Sequence, residues 1–183
     1  MTQHYLDIET TGLDPEIDQI ITIQYQELDR NTGEAVGELT ILKAWESSEK
    51  EILQKFILDT NILDPYPFSF IPLGFNLSFE HNFLKIRTKK NGLPSTDILN
   101  NPFLDLKVVG VIMNKGKFKG AGLDKLTGKE SNGSKIPEWY KNKEFDQIIQ
   151  YIEMETREFI KFNSWLYKKL PNLLAEFKEV NGF

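Results

Sequence analysis

Apolar and polar positions alternate in "YLDIET" near the start of the chain. This predicts a strand over residues 3–9 with Leu6 and Ile8 on one face and Asp7 and Glu9 on the other. Residues 19–28 ("QIITIQYQEL") and 35–45 ("AVGELTILKAW") read as two more strands, with "DRNTGE" as the hairpin turn between them. Ser48 followed by Glu51 makes a capping box that opens a helix over 49–59. "DPYP" breaks the chain, and "FSFIPLGFN" reads as a buried strand ending in a turn. A helix over 77–90 is stopped by Asn91-Gly92, and "FLDLKVVGVIM" is a short strand running into a helix. The segment 115–135 reads as loop around a short helical "GLDKLTG". A long helix follows over 144–169, Pro171 interrupts it, and an amphipathic piece covers 172–180. Strands first and strand–helix alternation afterwards predict an α/β fold. Its central sheet is mixed, with the first three strands antiparallel and helices on both faces.

Three of these elements carry acid where the pattern asks for apolar residues. Asp7 and Glu9 share one strand face, where like charges two residues apart repel. An edge strand with a solvated face tolerates that; a metal site requires it. On helix 77–90, Leu77, Phe79, Phe83, Leu84 and Ile86 define an apolar face with Glu80 inside it. Glu80 alone fits a snorkelling side chain as well as a ligand. On the last long helix, Phe145, Ile148, Ile149, Ile152, Phe159, Phe162 and Leu166 define the stripe. Glu155 falls within it, Tyr151 lies at its margin one turn earlier, and Asp146, Glu153 and Glu158 lie outside. Converging carboxylates do not stay ionised together without compensation, and hard divalent cations with oxygen ligands, magnesium or manganese, supply it.

The 183 residues are read as one domain spanning 1–183, and a hydrophobic fraction of 40% argues against disorder. The absence of cysteine excludes a disulfide framework, a thiolate metal site and a cysteine nucleophile. There is no charged-then-apolar leader and no apolar run of membrane-spanning length, so a soluble, cytoplasmic protein without a membrane partner is expected. Charge is unevenly spread. Residues 1–84 carry 4 basic and 15 acidic side chains, residues 85–143 carry 13 and 5, and residues 144–183 carry 5 and 7. A basic middle segment beside an acidic cleft suits a phosphate backbone, although lysine-rich loops are also simply soluble.

"DIETTG", "GFNLSFEHNFL" and "YIEME" resemble the three motifs of the DnaQ-like (DEDD) 3′–5′ exonuclease superfamily, whose fold is RNase H-like. "FLDL" and "GLDKLTGKE" resemble the stretch between the second and third motifs in the branch related to family B polymerase exonuclease domains. The resemblance implies a nuclease hydrolysing phosphodiester bonds at the 3′ end of DNA or RNA, with Asp7, Glu9, Glu80 and Glu155 holding two Mg2+ or Mn2+ ions. Tyr151 would orient the attacking water. Only His4 and His81 exist, and neither lies just upstream of Glu155, which supports the tyrosine subclass. By position, Thr10, Thr11, Gly12 and Leu13 would meet the terminal nucleotide of a single strand, and Asn76 and Phe79 would shape the same pocket. A polymerase or helicase partner is left open by the sequence. Two ions about 3.5–4 Å apart activate water and neutralise charge on attacking and leaving oxygens, the requirement of phosphodiester hydrolysis.

The family has aspartate where this chain has Glu80 and Glu155. Each glutamate adds one C–C bond, about 1.5 Å of reach, and misplacement by about 1 Å costs on the order of 100-fold in rate. The alternative reading is therefore a nucleic-acid-binding module that keeps the fold without turnover. Tyr140 and Glu144 repeat the Tyr-x3-Glu spacing but precede the well-formed helix, and rank second. Asp105 and Asp124 read as capping or solvated residues.

Overall fold

The computed structural model describes residues 3–128 and 132–182; Lys129 and Glu130 of "GLDKLTGKE" lie outside the described residues. The strands β1 (Gln3–Thr10), β2 (Ile20–Leu28), β3 (Thr40–Lys43), β4 (Ile71–Gly74) and β5 (Leu104–Asp105) form a sheet in the order β3-β2-β1-β4-β5. β2 is antiparallel to β1 and β3, whereas β4 runs parallel to β1 and β5 parallel to β4. The sheet is mixed with its first three strands antiparallel, as expected. β1 is its centre, so the acidic pair does not sit on an edge strand.

Helices α1 (Glu49–Thr60) and α2 (Ser78–Lys90) cover one face, where Leu6, Ile8, Ile23, Phe56 and Leu84 pack together. α3 (Leu106–Met113), α4 (Leu123–Thr127) and α6 (Phe145–Asn181) cover the other around Tyr5, Leu73, Leu106, Leu123 and Phe159. α5 (Ile136–Lys141) extends that layer, with Ile136 against Ile21, Ile148 and Ile152. The alternation along β1 thus sends Leu6 and Ile8 to the first core, and leaves Asp7 and Glu9 beside Tyr5 under α6. α1 opens with the predicted cap: the Glu51 amide donates to Ser48 Oγ at 3.2 Å, and the Ser48 hydroxyl donates to Glu51 Oε2 at 2.8 Å.

Two expectations are corrected. The strand expected over 35–45 pairs with β2 only over Thr40–Lys43, with Ala35 in an isolated bridge to Leu28. Gly37, at φ +85°, turns the backbone off the ladder between them. The long helix does not stop near Pro171 but runs unbroken from Phe145 to Asn181. The proline removes only its own N–H from the ladder. Residues 168–182 are exposed, so no packing opposes the local bend its ring demands. Upstream, α6 is fixed to the sheet: Asn163 Nδ2 and Ser164 Oγ donate to Gly33 O at 2.8 and 3.1 Å, and the Tyr167 hydroxyl donates to Gln3 Oε1 at 2.8 Å.

Candidate active site

Asp7 occupies the middle of the central strand. Its partner across the antiparallel ladder is Gln24, and Glu9 faces Thr22. Gln24 is fully buried and donates from Nε2 to Asp7 Oδ2 at 3.0 Å, while the Tyr5 hydroxyl donates to the same oxygen at 3.2 Å. Burial above all, and then the charge of Glu155, push the Asp7 carboxyl up to about 6, against the pull of Gln24, the Ile8 amide and Tyr5.

Glu80 enters from the first turn of α2, 4% exposed, with Oε2 lacking any hydrogen-bond partner. Its carboxyl is held well above the usual carboxylate range, first by burial and then by the charge of Asp7. A hydrogen bond to Asp7 favours the protonated form further, and Asp105 adds a smaller contribution. Burial, Glu155 and Glu9, in that order, raise the Tyr151 phenol far above its ordinary value, with a hydrogen bond to Glu155 acting the same way. The Tyr5 phenol is raised by burial, Asp7 and Glu155. Asp7, Glu9, Glu80, Tyr151 and Glu155 therefore share one electrostatic environment. Of these, Asp7, Tyr151 and Glu155 line a cavity of about 210 Å³, together with Tyr5, Asp124 and Phe159.

The donor set consists of carboxylate oxygens, and the orphaned Glu80 Oε2 is the kind of buried atom that a hard cation satisfies. The residues fit such an ion in chemistry. Among the described residues, no three His, Asp or Glu side chains stand as a ready coordination group.

Thr10 closes β1 just after the register shift that follows Glu9, and Thr11 to Leu13 lie in the loop beyond it. The Thr10 hydroxyl donates to Gly12 O at 2.5 Å, and Thr11 Oγ1 accepts from Gln19 N at 2.9 Å. A Cβ on Gly12 would collide with the Asp18 carboxylate, and Leu13 projects outward, 84% exposed. Arg87 of α2 ties this loop down from below. It makes a two-pronged contact with Glu49, at 2.8 Å from Nε and 2.7 Å from Nη2, and Nη1 reaches Pro15 O at 3.4 Å. Glu49 also accepts from Ile20 N at 2.8 Å.

Asn76, at φ +76°, turns the chain from β4 into α2; its Oδ1 accepts from Lys107 Nζ at 2.6 Å. Phe79 packs against Phe83, with ring centroids 4.8 Å apart, on the edge of the core. Asp105 caps α3 through Lys107 N at 2.9 Å, as expected, and also accepts the Asn76 and Leu77 amides at 2.8 and 3.0 Å. Asp124 stands in the cavity wall, a placement that its position on a short helix did not signal. Tyr140 lies on α5 and Glu144 at the N-cap of α6, outside the residues lining this cavity. Sequence reasoning missed Gln24 and Arg87. For Gln24 the signal is a polar side chain between the buried Ile23 and Tyr25; Arg87 carries no such signal.

The model of the RNase H superfamily matches residues 4–167. The chain belongs to the RNase H superfamily. No curated protein matches it in sequence. Its RNase H-like fold is similar to that of E. coli exonuclease I. The zinc-bound complex of that enzyme with single-stranded DNA superposes at a TM-score of 0.60 and 16% identity, covering 96% of this chain and 42% of the other. The complex with a dT13 oligonucleotide gives 0.61 and 15%, covering 96% and 43%. At this identity the likeness is one of fold. This RNase H-superfamily chain spans about two fifths of the length of the exonuclease I chains it matches.

Proposed function

We propose that the chain is a metal-dependent 3′–5′ exonuclease acting on the 3′ end of single-stranded DNA or RNA by a two-metal-ion mechanism. The observation that carries this reading is the convergence of Asp7, Glu9, Glu80 and Glu155 with the Tyr151 hydroxyl. A fold shared with exonuclease I, whose solved complexes hold single-stranded DNA, supports a single-stranded substrate. Asp7, Glu9, Glu80 and Glu155 are the residues that would hold Mg2+ or Mn2+. Divalent cations supply activation of water and neutralise the charge of the attacking and leaving oxygens.

The chain's own groups divide the remaining work. Tyr151 keeps its proton at neutral pH, because its phenol is raised by burial and by Glu155. It therefore acts as a hydrogen-bonding group that orients water, not as a base. Gln24 and Tyr5 hold Asp7 by one oxygen. Thr10 to Leu13 meet the terminal nucleotide, with the exposed Leu13 placed to wedge against a base. Incubation of 5′-labelled oligonucleotides with wild type and Asp7→Ala in Mg2+ or Mn2+ tests the reading. Stepwise shortening from the 3′ end by wild type alone is expected. No shortening, or equal shortening by Asp7→Ala, would sink it.

One observation favours a second reading, a nucleic-acid-binding module without turnover. Glu80 sits against Asp7 as a proton-sharing neighbour, and the described carboxylates form no ready coordination group. That reading predicts salt-sensitive binding without cleavage, and cleavage that appears on Glu80→Asp with Glu155→Asp.

A further inference from the structure

The basic middle segment has a specific architecture at the loop joining α3 to α4, "NKGKFKGAG" over residues 114–122. It is a built loop. Asn114 Nδ2 donates to Lys117 O at 2.7 Å and to Lys119 O at 3.0 Å, and Gly116 N donates to Val111 O at 2.8 Å. Lys115, Gly116 and Gly120 take left-handed backbone, two of them glycines that adopt it without strain. One anchor is Ala121, 1% exposed, whose carbonyl packs so closely on Gly110 that a side chain there would crowd it. The next residues, Gly122, Leu123 and Asp124, line the cavity that holds Asp7, Tyr151 and Glu155.

At its tip this ordered loop presents Phe118, 75% exposed, with Lys115, Lys117 and Lys119 all facing solvent. The described ion pairs draw on other cations, among them Lys43, Lys85, Lys90 and Lys125. A single exposed phenylalanine is unremarkable on a surface. A phenylalanine fixed between three solvent-facing lysines, on a loop running into the wall of a carboxylate-lined cavity, has the composition that binds unpaired nucleic acid. Bases of any sequence stack on an aromatic face while cations track the phosphates. The cavity is acidic, so cations on a loop that leads into its wall are what draws a polyanion towards it.

We propose that this loop docks single-stranded nucleic acid, Phe118 stacking on an unpaired base while Lys115, Lys117 and Lys119 contact phosphates. The inference rests on the nuclease reading of the cavity. Phe118 lies four residues before Gly122, so their Cα atoms are at most about 14 Å apart. That is about four stacked nucleotides at 3.4 Å each.

The test is fluorescence anisotropy of a fluorescein-labelled oligothymidine in EDTA over a range of salt. It compares wild type, Phe118→Ala, Phe118→Trp and the triple Lys115→Ala, Lys117→Ala, Lys119→Ala variant. Phe118→Ala is expected to weaken binding by about 5- to 150-fold, the range for loss of one stacked base, with an unchanged salt slope; Phe118→Trp restores it. The triple variant is expected to flatten the logarithmic salt slope by about 2, from three lost phosphate contacts on a single strand. Melting curves check that each variant is folded, which the exposure of these side chains favours. Wild-type affinity in folded Phe118→Ala and triple variants overturns the proposal, as does an equal effect of Phe118→Ala on duplex binding. If wild type degrades oligonucleotides while these variants bind normally, the loop assignment falls alone. If wild type neither binds nor degrades single strands, the nuclease reading falls with it.

Discussion

Gln24 Nε2 stands 3.0 Å from Asp7 Oδ2 across the β1–β2 ladder, and the Thr22 hydroxyl donates to Gln24 Oε1 at 3.0 Å. The second contact fixes which end of the amide faces Asp7. With Tyr5 on the same oxygen, two neutral donors hold Oδ2 and leave Oδ1 outside that pair of bonds. Substituting the groups that orient a ligating side chain typically costs 10- to 100-fold in metal affinity. Gln24→Leu is therefore expected to weaken Mn2+ binding by about 10-fold or more, and Thr22→Val by less, both read by calorimetric titration. Unchanged Mn2+ affinity in folded Gln24→Leu would show that the amide does not orient Asp7.

Asp7, raised to about 6, and Glu80, raised by burial and by Asp7, make stability depend on pH in a definite direction. A carboxyl whose folded pKa exceeds its unfolded value binds more protons when folded. Its stabilising contribution is complete below the unfolded pKa, near 3.9–4.3, and is lost as pH rises through the folded value. In EDTA, melting temperature is expected to fall between about pH 4.5 and pH 7 on this account. Glu80→Gln should flatten that decline and raise the melting temperature at neutral pH. A melting temperature that instead rises over this interval, or a Glu80→Gln profile parallel to wild type, contradicts the coupling.

Tyr151 contributes a hydroxyl beside Glu155. Tyr151→Phe removes that hydroxyl while keeping the ring that tilts against Trp139 at 6.4 Å. On the proposed function, kcat falls by about 100-fold, the cost of a mispositioned reactant, with KM for the oligonucleotide near the wild-type value. A large rise in KM with kcat retained would assign Tyr151 to substrate binding instead.

Arg87 and Glu49 are each about 10% exposed in their side chains and form one bidentate pair. Removing Arg87 leaves the Glu49 carboxylate without its counter-charge, with only the Ile20 amide and the Asn91 side chain still donating to it. Breaking such a pair costs about 3–5 kcal/mol. Arg87→Ala is expected to lower stability by that order in urea unfolding. Because Nη1 also holds Pro15 O, the loop from Thr10 to Asp18 should gain amide exchange. A loss below about 1 kcal/mol, the level of an exposed pair, would mean that the pair is not the anchor of this loop.

The sequence carried the one-dimensional part of the site. Asp7 and Glu9 were legible from alternation along β1, Glu80 and Glu155 from the stripes they interrupt, and the start of α1 from Ser48 and Glu51. Gln24 was not, because its meaning depends on the register that sets it opposite Asp7, and register is a property of two strands. Arg87 sits in the last turn of α2, where a cation suits the helix dipole, so nothing local signalled a partner 38 residues earlier. Pro171 misled for the opposite reason. Its local rule is sound for a packed helix, but the exposed end of α6 lets a proline stay.

Asp105 accepts the amides of Asn76 and Leu77 at the start of α2 and of Lys107 at the start of α3. A single carboxylate thus welds two helices that are separated in sequence and pack over opposite faces of the sheet. The α2 start carrying Glu80 cannot fray without releasing α3. The two openings share one free energy, and in hydrogen exchange these three amides should lose protection together, not one helix at a time.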